Sequence, residues 1–223
     1  AVGLADLEAY ARSMGVSALG YTKLPQSWIF QDKAVLYDNA IVLTMEMDKQ
    51  KMDTAPSPAS HLAAVEIYHY LGDAAIAIAR FLREHGYAAH AGHPLMGQAL
   101  YPPLAQRAGL GWRGRHGLLI TPQFGPRVRL AAVFTNIETL PFFTGENPHR
   151  WIPTYCKSCG LCIKQCPAGA IYEQPIPREN DLVTCVDVDR CFPQFADHYG
   201  CSVCIRVCPF NRGLYETLKR RAE

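Results

Sequence analysis

Cysteine is absent from the first 155 of the 223 residues. Long apolar runs are absent too: no 18 consecutive residues are apolar, and the best candidate, Ala40–Met47, is far too short to cross a bilayer. An excess of one charge is also missing, since 22 lysines and arginines nearly balance 20 aspartates and glutamates. We therefore expect no integral membrane segment, and the net charge of +2 argues against a nucleic-acid partner.

The composition is that of a globular protein. Hydrophobic residues make up 49% of the chain and charged residues 19%, which supplies enough apolar material for a core and excludes disorder and collagen-like repeats. No twin-arginine motif or apolar secretory stretch occurs near the start, which predicts a cytoplasmic protein. Because the chain starts at Ala1 and not at methionine, this expectation concerns only the printed sequence.

All nine cysteines lie between Cys156 and Cys208, and most of them follow regular gaps. The first run starts at Cys156 and has the spacing Cys-x2-Cys-x2-Cys-x3-Cys-Pro, which is the bacterial iron–sulfur run. The second run, Cys-x2-Cys-x3-Cys-Pro, starts at Cys201, and its missing first member would stand at His198. Zinc sites and disulfides do not explain this spacing, so we predict [4Fe–4S] clusters.

Exchange of the fourth cysteine between the two runs assigns the ligands. In two-cluster ferredoxins, the last cysteine of each run binds the cluster of the other run. The ligands predicted for the first cluster are Cys156, Cys159, Cys162 and Cys208. Those predicted for the second cluster are Cys166, Cys201, Cys204 and one further residue. From spacing alone, Cys185, Cys191 and His198 are all candidates for that last position.

Hydrophobic periodicity and turn residues predict an α/β domain over residues 1–150 and a cluster module over residues 151–223. Helices are predicted at about residues 4–14, 60–85, 102–108 and 214–220. Strands are predicted at 40–47, 118–121 and 128–135, with a turn at 122–126 joining the last two. A glycine-rich loop at 109–117 and a proline-rich linker at 139–153 complete the pattern. The long helix has an apolar stripe of Leu71, Ala75, Ile78 and Leu82.

Motifs outside the cysteine runs carry a family resemblance that extends from about residue 15 to residue 213. They are Glu46–Asp48, Thr54–Ser57, Gly109–Gly111, Gly114–Leu130, Val133–Thr135, Cys191-Phe192 and Cys201–Asn211. Together they resemble corrinoid-dependent reductive dehalogenases, in a short form. Ala108–Trp112 and the layout of the cysteines also resemble, more distantly, epoxyqueuosine reductase.

The resemblance implies a nitroreductase-like α/β domain that holds a base-off cobalamin, followed by a two-cluster [4Fe–4S] ferredoxin module. Electrons from a donor such as a ferredoxin, a flavodoxin or a reductase would pass through the two clusters and reduce the cobalt to Co(I). The substrate would be a small molecule, with an organohalide as the first expectation, and its carbon–halogen bond would be cleaved reductively. The Cys-Phe pair of the family selects Cys191 as the fourth ligand of the second cluster.

The catalytic set of the family corresponds to Tyr68, His93 and Arg129. Tyr68 would donate the proton that the cleaved carbon needs, and Arg129 or a protonated His93 would stabilise the resulting phenolate. Tyr70 is an alternative donor on another face of the same helix. Each residue also has a structural interpretation: Tyr68 as a core residue, His93 as a turn residue before Pro94, and Arg129 as half of an ion pair.

The glycine-rich loop is the predicted contact with the cofactor. Its glycines would let the backbone approach the corrin closely, and Trp112 would pack there. The predicted cofactor-binding residues are Gly109, Gly111, Trp112, Gly114, Gly117 and Leu118.

Two other functions also fit the sequence. One is a corrinoid reductase that acts on a modified nucleoside, in the manner of epoxyqueuosine reductase. The other is a non-catalytic electron-transfer or corrinoid-handling subunit whose first domain docks on a partner. Trp112 stands where the dehalogenases usually have glutamate, and His93-Pro94-Leu95 replaces an Asn-Asp-Thr-like stretch. These departures keep both alternatives open.

Overall fold

The computed structural model describes residues 3–222. Its α-helices are α1 Leu4–Ser13, α2 Lys49–Met52, α3 Pro58–Glu84, α4 Tyr101–Arg107, α5 Ile152–Cys159, α6 Leu161–Lys164, α7 Val188–Asp197, α8 Val203–Arg206 and α9 Tyr215–Ala222. Its strands are β1 Ala18–Lys23, β2 Asn39–Glu46, β3 Ala89–Gly92, β4 Trp112–Arg113, β5 Leu119–Ile120, β6 Val128–Thr135, β7 Ile171–Pro177 and β8 Val183–Val186. Short 3-10 helices cover Gln26–Trp28 and Pro209–Arg212. The fold is therefore a mixed α/β one.

The chain divides into two compact units, and each is built from three separate segments. The first, here called the sheet unit, comprises Ala1–Glu46, Glu66–Leu110 and Arg129–Glu146. The second, here called the cysteine unit, comprises Met47–Val65, Gly111–Val128 and Asn147–Glu223. Two of the boundaries between the units fall inside α3 and inside β6. Neither unit is a continuous stretch of sequence.

The sheet unit is organised around a four-stranded sheet in the order β1-β2-β6-β3. Strands β1 and β2 pair antiparallel from Ala18 opposite Thr44 to Lys23 opposite Asn39. Strands β3 and β6 also pair antiparallel, with Gly92 opposite Ala132. Strands β1 and β3 were not predicted. Strand β3 has only four residues, Ala-His-Ala-Gly, and these have little strand propensity of their own, so its pairing with β6 determines it.

The core of the sheet unit lies between the sheet and the long helix. The predicted apolar stripe of α3 is confirmed: Leu71, Ala75, Ile78 and Leu82 are all buried. They pack in one cluster with sheet residues such as Ile41 and with the buried side of α1. A helix with this period presents one face to a core, which is what the sequence pattern predicts.

Helix α3 is also long and apolar enough to cross a membrane by length and composition alone. Its most apolar window has a mean hydropathy of 1.3, and 39% of that window is buried in the structure. A core helix of a soluble protein passes the same test, and one such helix among residues 3–222 is weak evidence for a membrane span.

The cysteine unit contains short elements held together by aromatic side chains. Strands β4 and β5 form an antiparallel pair, and so do β7 and β8. Its apolar cluster comprises Ile120, Ile152, Cys208, Phe210, Tyr215 and Leu218, with Trp112, Trp151 and Tyr155 packed against it. One of the cysteines therefore lies inside the hydrophobic core of this unit.

Two details of the predicted organisation differ from the structure. The strands predicted on either side of the turn at 122–126 lie in different sheets, since β5 pairs with β4 and β6 with β3. The turn is instead closed by reciprocal backbone hydrogen bonds between Thr121 and Gly125. The predicted linker at 139–153 is also shorter, because α5 already begins at Ile152.

The division into units also runs differently from the predicted boundary at residue 150. Residues 47–65 and 111–128 belong with the cysteine unit. Tertiary contacts explain this: Asn211 donates a side-chain hydrogen bond to Asp53 over 2.8 Å. Gly125 lies so close to Phe210 that an added Cβ would be 2.5 Å from its backbone. Such contacts join distant segments, and no composition change marks them in the sequence.

Candidate cluster sites and a tyrosine–arginine–histidine site

The four thiols predicted for the first cluster surround one cavity in the cysteine unit. Helix α5 ends at Gly160 in the left-handed region, with φ of 60°, and the chain turns directly into α6. This turn carries three of the cysteines around one side of the cavity, while the fourth precedes the 3-10 helix. The lining residues are Arg115, His116, Tyr155, Cys156, Cys159, Gly160, Cys162, Cys208, Pro209 and Phe210.

Burial, followed by the influence of nearby thiols, raises the pKa of three of the four thiols of this first tetrad, Cys156, Cys162 and Cys208. Burial, followed by the neighbouring Cys156 and Cys159, raises the pKa of Cys162 to about 11. Burial raises the pKa of Cys208 further still. A thiol must lose its proton to bind iron, so a bound metal would have to supply the positive charge that makes several adjacent thiolates stable. The arrangement fits an iron–sulfur cluster.

The second tetrad is recognised by the mutual influence of its thiols. The pKa of Cys191 is raised by burial and then by Cys166 and Cys201. The pKa of Cys204 is raised to about 12 by burial and then by neighbouring thiols, all of which are cysteines of the two tetrads. The backbone N–H of Ala170 donates to Cys166 Sγ over 3.3 Å. These four cysteines therefore lie together.

The structure separates the three candidates for the fourth ligand of the second cluster. Cys185 is buried beside Gly117 and is influenced by Arg113 and Arg115 rather than by the second tetrad. His198 is exposed, and its Nδ1 lies 3.2 Å from the carbonyl oxygen of Gln194. The geometry favours Cys191, as the resemblance implied, and the ligand assignment stays a prediction.

A single metal ion is less compatible with these cysteines. Among residues 3–222, no three His, Cys, Asp or Glu side chains lie close enough together to share one ion. A tetrahedral zinc site needs four ligands within about 2.3 Å of one atom. In a [4Fe–4S] cluster, each thiolate binds a different iron, so the four sulfurs stand further apart.

Close packing against neighbouring atoms explains glycines of the glycine-rich loop. A Cβ on Gly111 would lie 2.2 Å from the carbonyl oxygen of Ile120, and one on Gly114 would lie 2.6 Å from the Ile120 side chain. Trp112 packs against the apolar cluster of the cysteine unit. The other residues predicted to contact cofactor are also near protein atoms: Gly109 by Phe143, Gly117 by Cys185, and Leu118 bonded to Gly114. Packing within the protein is enough to explain these glycines, and their role in binding a corrin stays a prediction.

Tyr68 and Arg129 meet in the sheet unit. The guanidinium carbon of Arg129 lies 4.8 Å from the centroid of the Tyr68 ring, which is cation–π distance. Strand alternation explains the meeting, because Arg129 shares a face of β6 with Ala131 and Val133, which pack in the core with α3. Arg129 Nε is buried and has no hydrogen-bond partner.

An ion pair of Arg129 and a donor role of Tyr70, the alternative interpretations, have less support in the structure. No carboxylate lies within ion-pair distance of Arg129 in the described part of the chain, so the ion-pair interpretation lacks a partner. Tyr70 is 55% exposed, and its ring lies beside His69 rather than Arg129. Tyr68 is therefore the better placed of the two candidate donors.

His93 lies against the same helix, one turn from Tyr68. A Cβ on Gly72 would be 2.1 Å from His93 Nε2, so only glycine leaves room for the imidazole. His93 Nδ1 lies 3.0 Å from both the backbone nitrogen and the carbonyl oxygen of Leu95. The ring is thus held by a turn at Nδ1 and lies against α3 at Nε2, and the catalytic role of His93 stays a prediction.

Sequence reasoning missed three residues of these sites. Arg115 and His116 line the first cysteine cavity, and Gly72 makes room for His93. No pattern of spacing singles them out. The only available signal was a glycine inside a long helix, which costs stability and therefore indicates a packing requirement.

Comparison with known proteins gives these sites a context. Residues 149–172 match the family model of the 4Fe-4S binding domain. Tetrachloroethene reductive dehalogenase of Desulfitobacterium hafniense is 33% identical over 93% of this chain and 39% of its own length. Epoxyqueuosine reductase of Listeria monocytogenes is 37% identical over 49% of this chain and 29% of its own length. These relatives are enzymes, and this chain spans about two fifths of the dehalogenase.

Solved structures show the same fold. A reductive dehalogenase, described with a mechanism for B12-dependent dehalogenation, matches 97% of this chain and 33% of its own, with a TM-score of 0.81 and 21% identity. Epoxyqueuosine reductase in complex with a modified tRNA stem loop matches 94% of this chain and 65% of its own, with a TM-score of 0.62 and 21% identity. The chain is a homologue of the reductive dehalogenases over 93% of its length.

Proposed function

We propose that this chain is the catalytic part of a cobalamin-dependent iron–sulfur oxidoreductase that resembles the reductive dehalogenases. Two [4Fe–4S] clusters in the cysteine unit would pass electrons to a base-off corrinoid in a nitroreductase-like sheet unit. The reaction would be reductive cleavage of a small molecule, with a carbon–halogen bond as its target. Because the chain spans about two fifths of its dehalogenase relatives, activity, substrate and electron donor are all part of the proposal.

The contact between Tyr68 and Arg129 is the observation that carries the proposal. Two-electron cleavage of a carbon–halogen bond leaves a carbon that must take up a proton. The Tyr68 hydroxyl is the proposed donor, and the guanidinium carbon of Arg129 lies 4.8 Å from the centroid of its ring. His93, whose ring lies against Gly72, adds a second polar group one helical turn away.

The sheet unit also has features that suit a corrinoid. When bound, the corrinoid supplies a low-potential nucleophile that no side chain provides. A corrin carries amide groups at its edge, and these donate and accept hydrogen bonds. Arg129 Nε and Gln98 Oε1 are buried without a hydrogen-bond partner among the described residues, so they are groups that we expect to bind such amides.

The first experiment is an anaerobic purification with metal analysis and a visible spectrum. We expect about eight iron atoms and about one cobalt per chain, with the absorption of a base-off cobalamin. Eight iron atoms without cobalt, even after reconstitution with cobalamin, would leave a two-cluster electron carrier and exclude both corrinoid functions. Iron near four would reduce the proposal to one cluster.

Turnover of a halophenol by the loaded protein tests the catalytic residues. Tyr68→Phe should abolish dehalogenation while the iron and cobalt contents stay unchanged. Tyr70→Phe is the matched control, because Tyr70 is on the same helix but exposed, and it should retain most of the activity. Full activity of Tyr68→Phe would contradict the assignment of the proton donor.

A second candidate is the reduction of epoxyqueuosine in tRNA. It is favoured by the 37% identity to epoxyqueuosine reductase over about half of the chain. A tRNA stem loop that contains epoxyqueuosine, incubated with the reduced protein, distinguishes the two activities. Conversion of this substrate with no action on halophenols would replace the dehalogenase proposal, and the nucleic-acid partner rejected from the net charge would then be real.

A further inference from the structure

The cavity of the first cysteine tetrad has a buried positive charge in its wall. Arg115 is only 8% exposed, and its guanidinium donates to the backbone carbonyl of Glu173. No carboxylate lies within ion-pair distance of Arg115 among residues 3–222. A buried guanidinium without an anion is costly, so an anionic partner is expected beside it.

His116, the next residue, contributes an unpaired donor to the same cavity. It is 4% exposed, and its Nδ1 accepts a hydrogen bond from the backbone N–H of Leu118 over 3.2 Å. The ring proton therefore lies on Nε2, which is buried and has no partner within the described residues. Burial lowers the pKa of His116 to about 4, so the ring is neutral at physiological pH.

Both residues border the cavity that the four sulfurs of the first tetrad line. Arg115 and His116 line the cavity together with the four cysteines of the first tetrad, and no aspartate or glutamate lines it. The backbone N–H of Arg115 also donates to Cys156 Sγ. An iron–sulfur cluster with four thiolate ligands has a net negative charge, so it would supply an anion near Arg115 and a sulfur acceptor near His116.

We propose that Arg115 and His116 form a polar wall that raises the reduction potential of the first cluster. His116 Nε2–H would donate a hydrogen bond to a cluster or cysteine sulfur, and Arg115 would contribute positive charge. One-electron reduction adds a negative charge to the cluster, and both contacts stabilise that added charge. This inference rests on the two clusters of the proposed function and assigns the first cluster the more positive potential.

Two thiols of the second tetrad have different surroundings. For Cys191 and Cys204, the influences on the thiol are burial and other cysteines, and no cation is among them. The two clusters would therefore share a ligand set and differ in charge and hydrogen bonding. That difference gives the electrons a thermodynamic preference for the first cluster.

An anaerobic redox titration of the full chain, followed by electron paramagnetic resonance, tests the wall. Signals are assigned with a Cys191→Ser variant, which should lack the second cluster. Arg115→Met should shift only the first cluster to a more negative potential, and Arg115→Lys should restore most of that shift. Arg178→Met is the control, because Arg178 is exposed, bonds Thr184 and does not line the cavity.

The hydrogen bond of His116 has its own readout. In protein labelled with ¹⁵N-histidine, pulsed resonance spectra of the reduced first cluster should contain a weak nitrogen coupling that His116→Phe removes. An unchanged reduction potential of the first cluster in Arg115→Met, or a nitrogen coupling that remains in His116→Phe, would contradict the proposed role of these residues. Both clusters would still be present in that case. Iron analysis that finds no cluster in the unaltered chain would overturn the wall and the two-cluster proposal together.

Discussion

Each of the two tetrads consists of four cysteine sulfurs, but the surroundings of the two tetrads differ. The first borders the apolar core of its unit, where Cys208 and Phe210 are buried among aromatic rings, and Arg115 and His116 complete its wall. The second includes Cys191 on α7, a helix with no buried residue. Phe192, the next residue, is 62% exposed. Identical ligands thus do not make identical sites, because burial, hydrogen bonds and nearby charge tune an iron–sulfur potential.

The largest expected effect is the loss of the first cluster. Cys208→Ser should reduce the iron content by about half, since one thiolate of four is removed from a buried site. Cys185→Ser is the matched control: Cys185 is also buried in the cysteine unit but lies outside both tetrads, and its variant should keep the full iron content. An iron loss in Cys185→Ser equal to that of Cys208→Ser would break the distinction between ligands and the spare thiol.

The next test concerns the fourth ligand of the second cluster. Cys191→Ser should remove one of the two reduced-cluster signals and leave the other intact. His198→Ala should leave both signals, because His198 is exposed and lies against Gln194. The opposite pattern in electron paramagnetic resonance spectra would transfer the ligand role to His198.

The difference in burial predicts a difference in stability. Phe210→Ala should lower the free energy of unfolding by about 3–5 kcal/mol, because it empties a site that is 2% exposed. Phe192→Ala should lower it by less than about 0.5 kcal/mol, because its ring already faces solvent. Anaerobic denaturant titrations measure both. Similar costs for the two variants would contradict the contrast between a core site and a surface site.

The smallest expected effect is a pH dependence from His116. The folded state keeps this ring neutral with a pKa of about 4, whereas the unfolded chain takes up the proton near pH 6.5. The unfolded state thus binds more protons in this window, so stability falls as the pH decreases from 6.5 towards 4. Between pH 7.5 and 5.5 the loss should be about 1 kcal/mol.

The matched variants for this pH dependence are His116→Phe and His198→Phe. The first should remove the His116 share of the slope, measured by anaerobic denaturation at the two pH values. The second should leave the slope as it is, because His198 is exposed. A slope that is equal in all three proteins would show that His116 is not a buried neutral histidine.

Much of the cysteine unit was predictable because its chemistry is local. The first three cysteines of the run reach one cavity through a single helix and turn, so their spacing carries the geometry. The assignment of Cys208 needed the rule that two-cluster ferredoxins exchange ligands, and the cavity brings Cys208 to the same three thiols. The choice of Cys191 over Cys185 needed the family resemblance, and the tertiary environment favours it.

The sheet unit was less predictable because its candidate site joins separate elements. Tyr68 and Arg129 belong to α3 and β6, and the resemblance named them without predicting their contact. The short strand β3 has a weak pattern of its own, and its pairing in the sheet determines it. The structure also explains the glycine-rich loop differently, since Ile120 lies where side chains on Gly111 and Gly114 would be.

The sequence by itself determined the iron–sulfur character of the chain and the buried face of α3. Both are periodic patterns of neighbouring residues, and such patterns follow from the geometry of one element. The lining of the first cavity by Arg115 and His116, the contact of Arg129 with Tyr68 and the space that Gly72 leaves for His93 are visible only in the tertiary structure. These contacts depend on how distant segments pack together, and distances through space leave no spacing in the sequence.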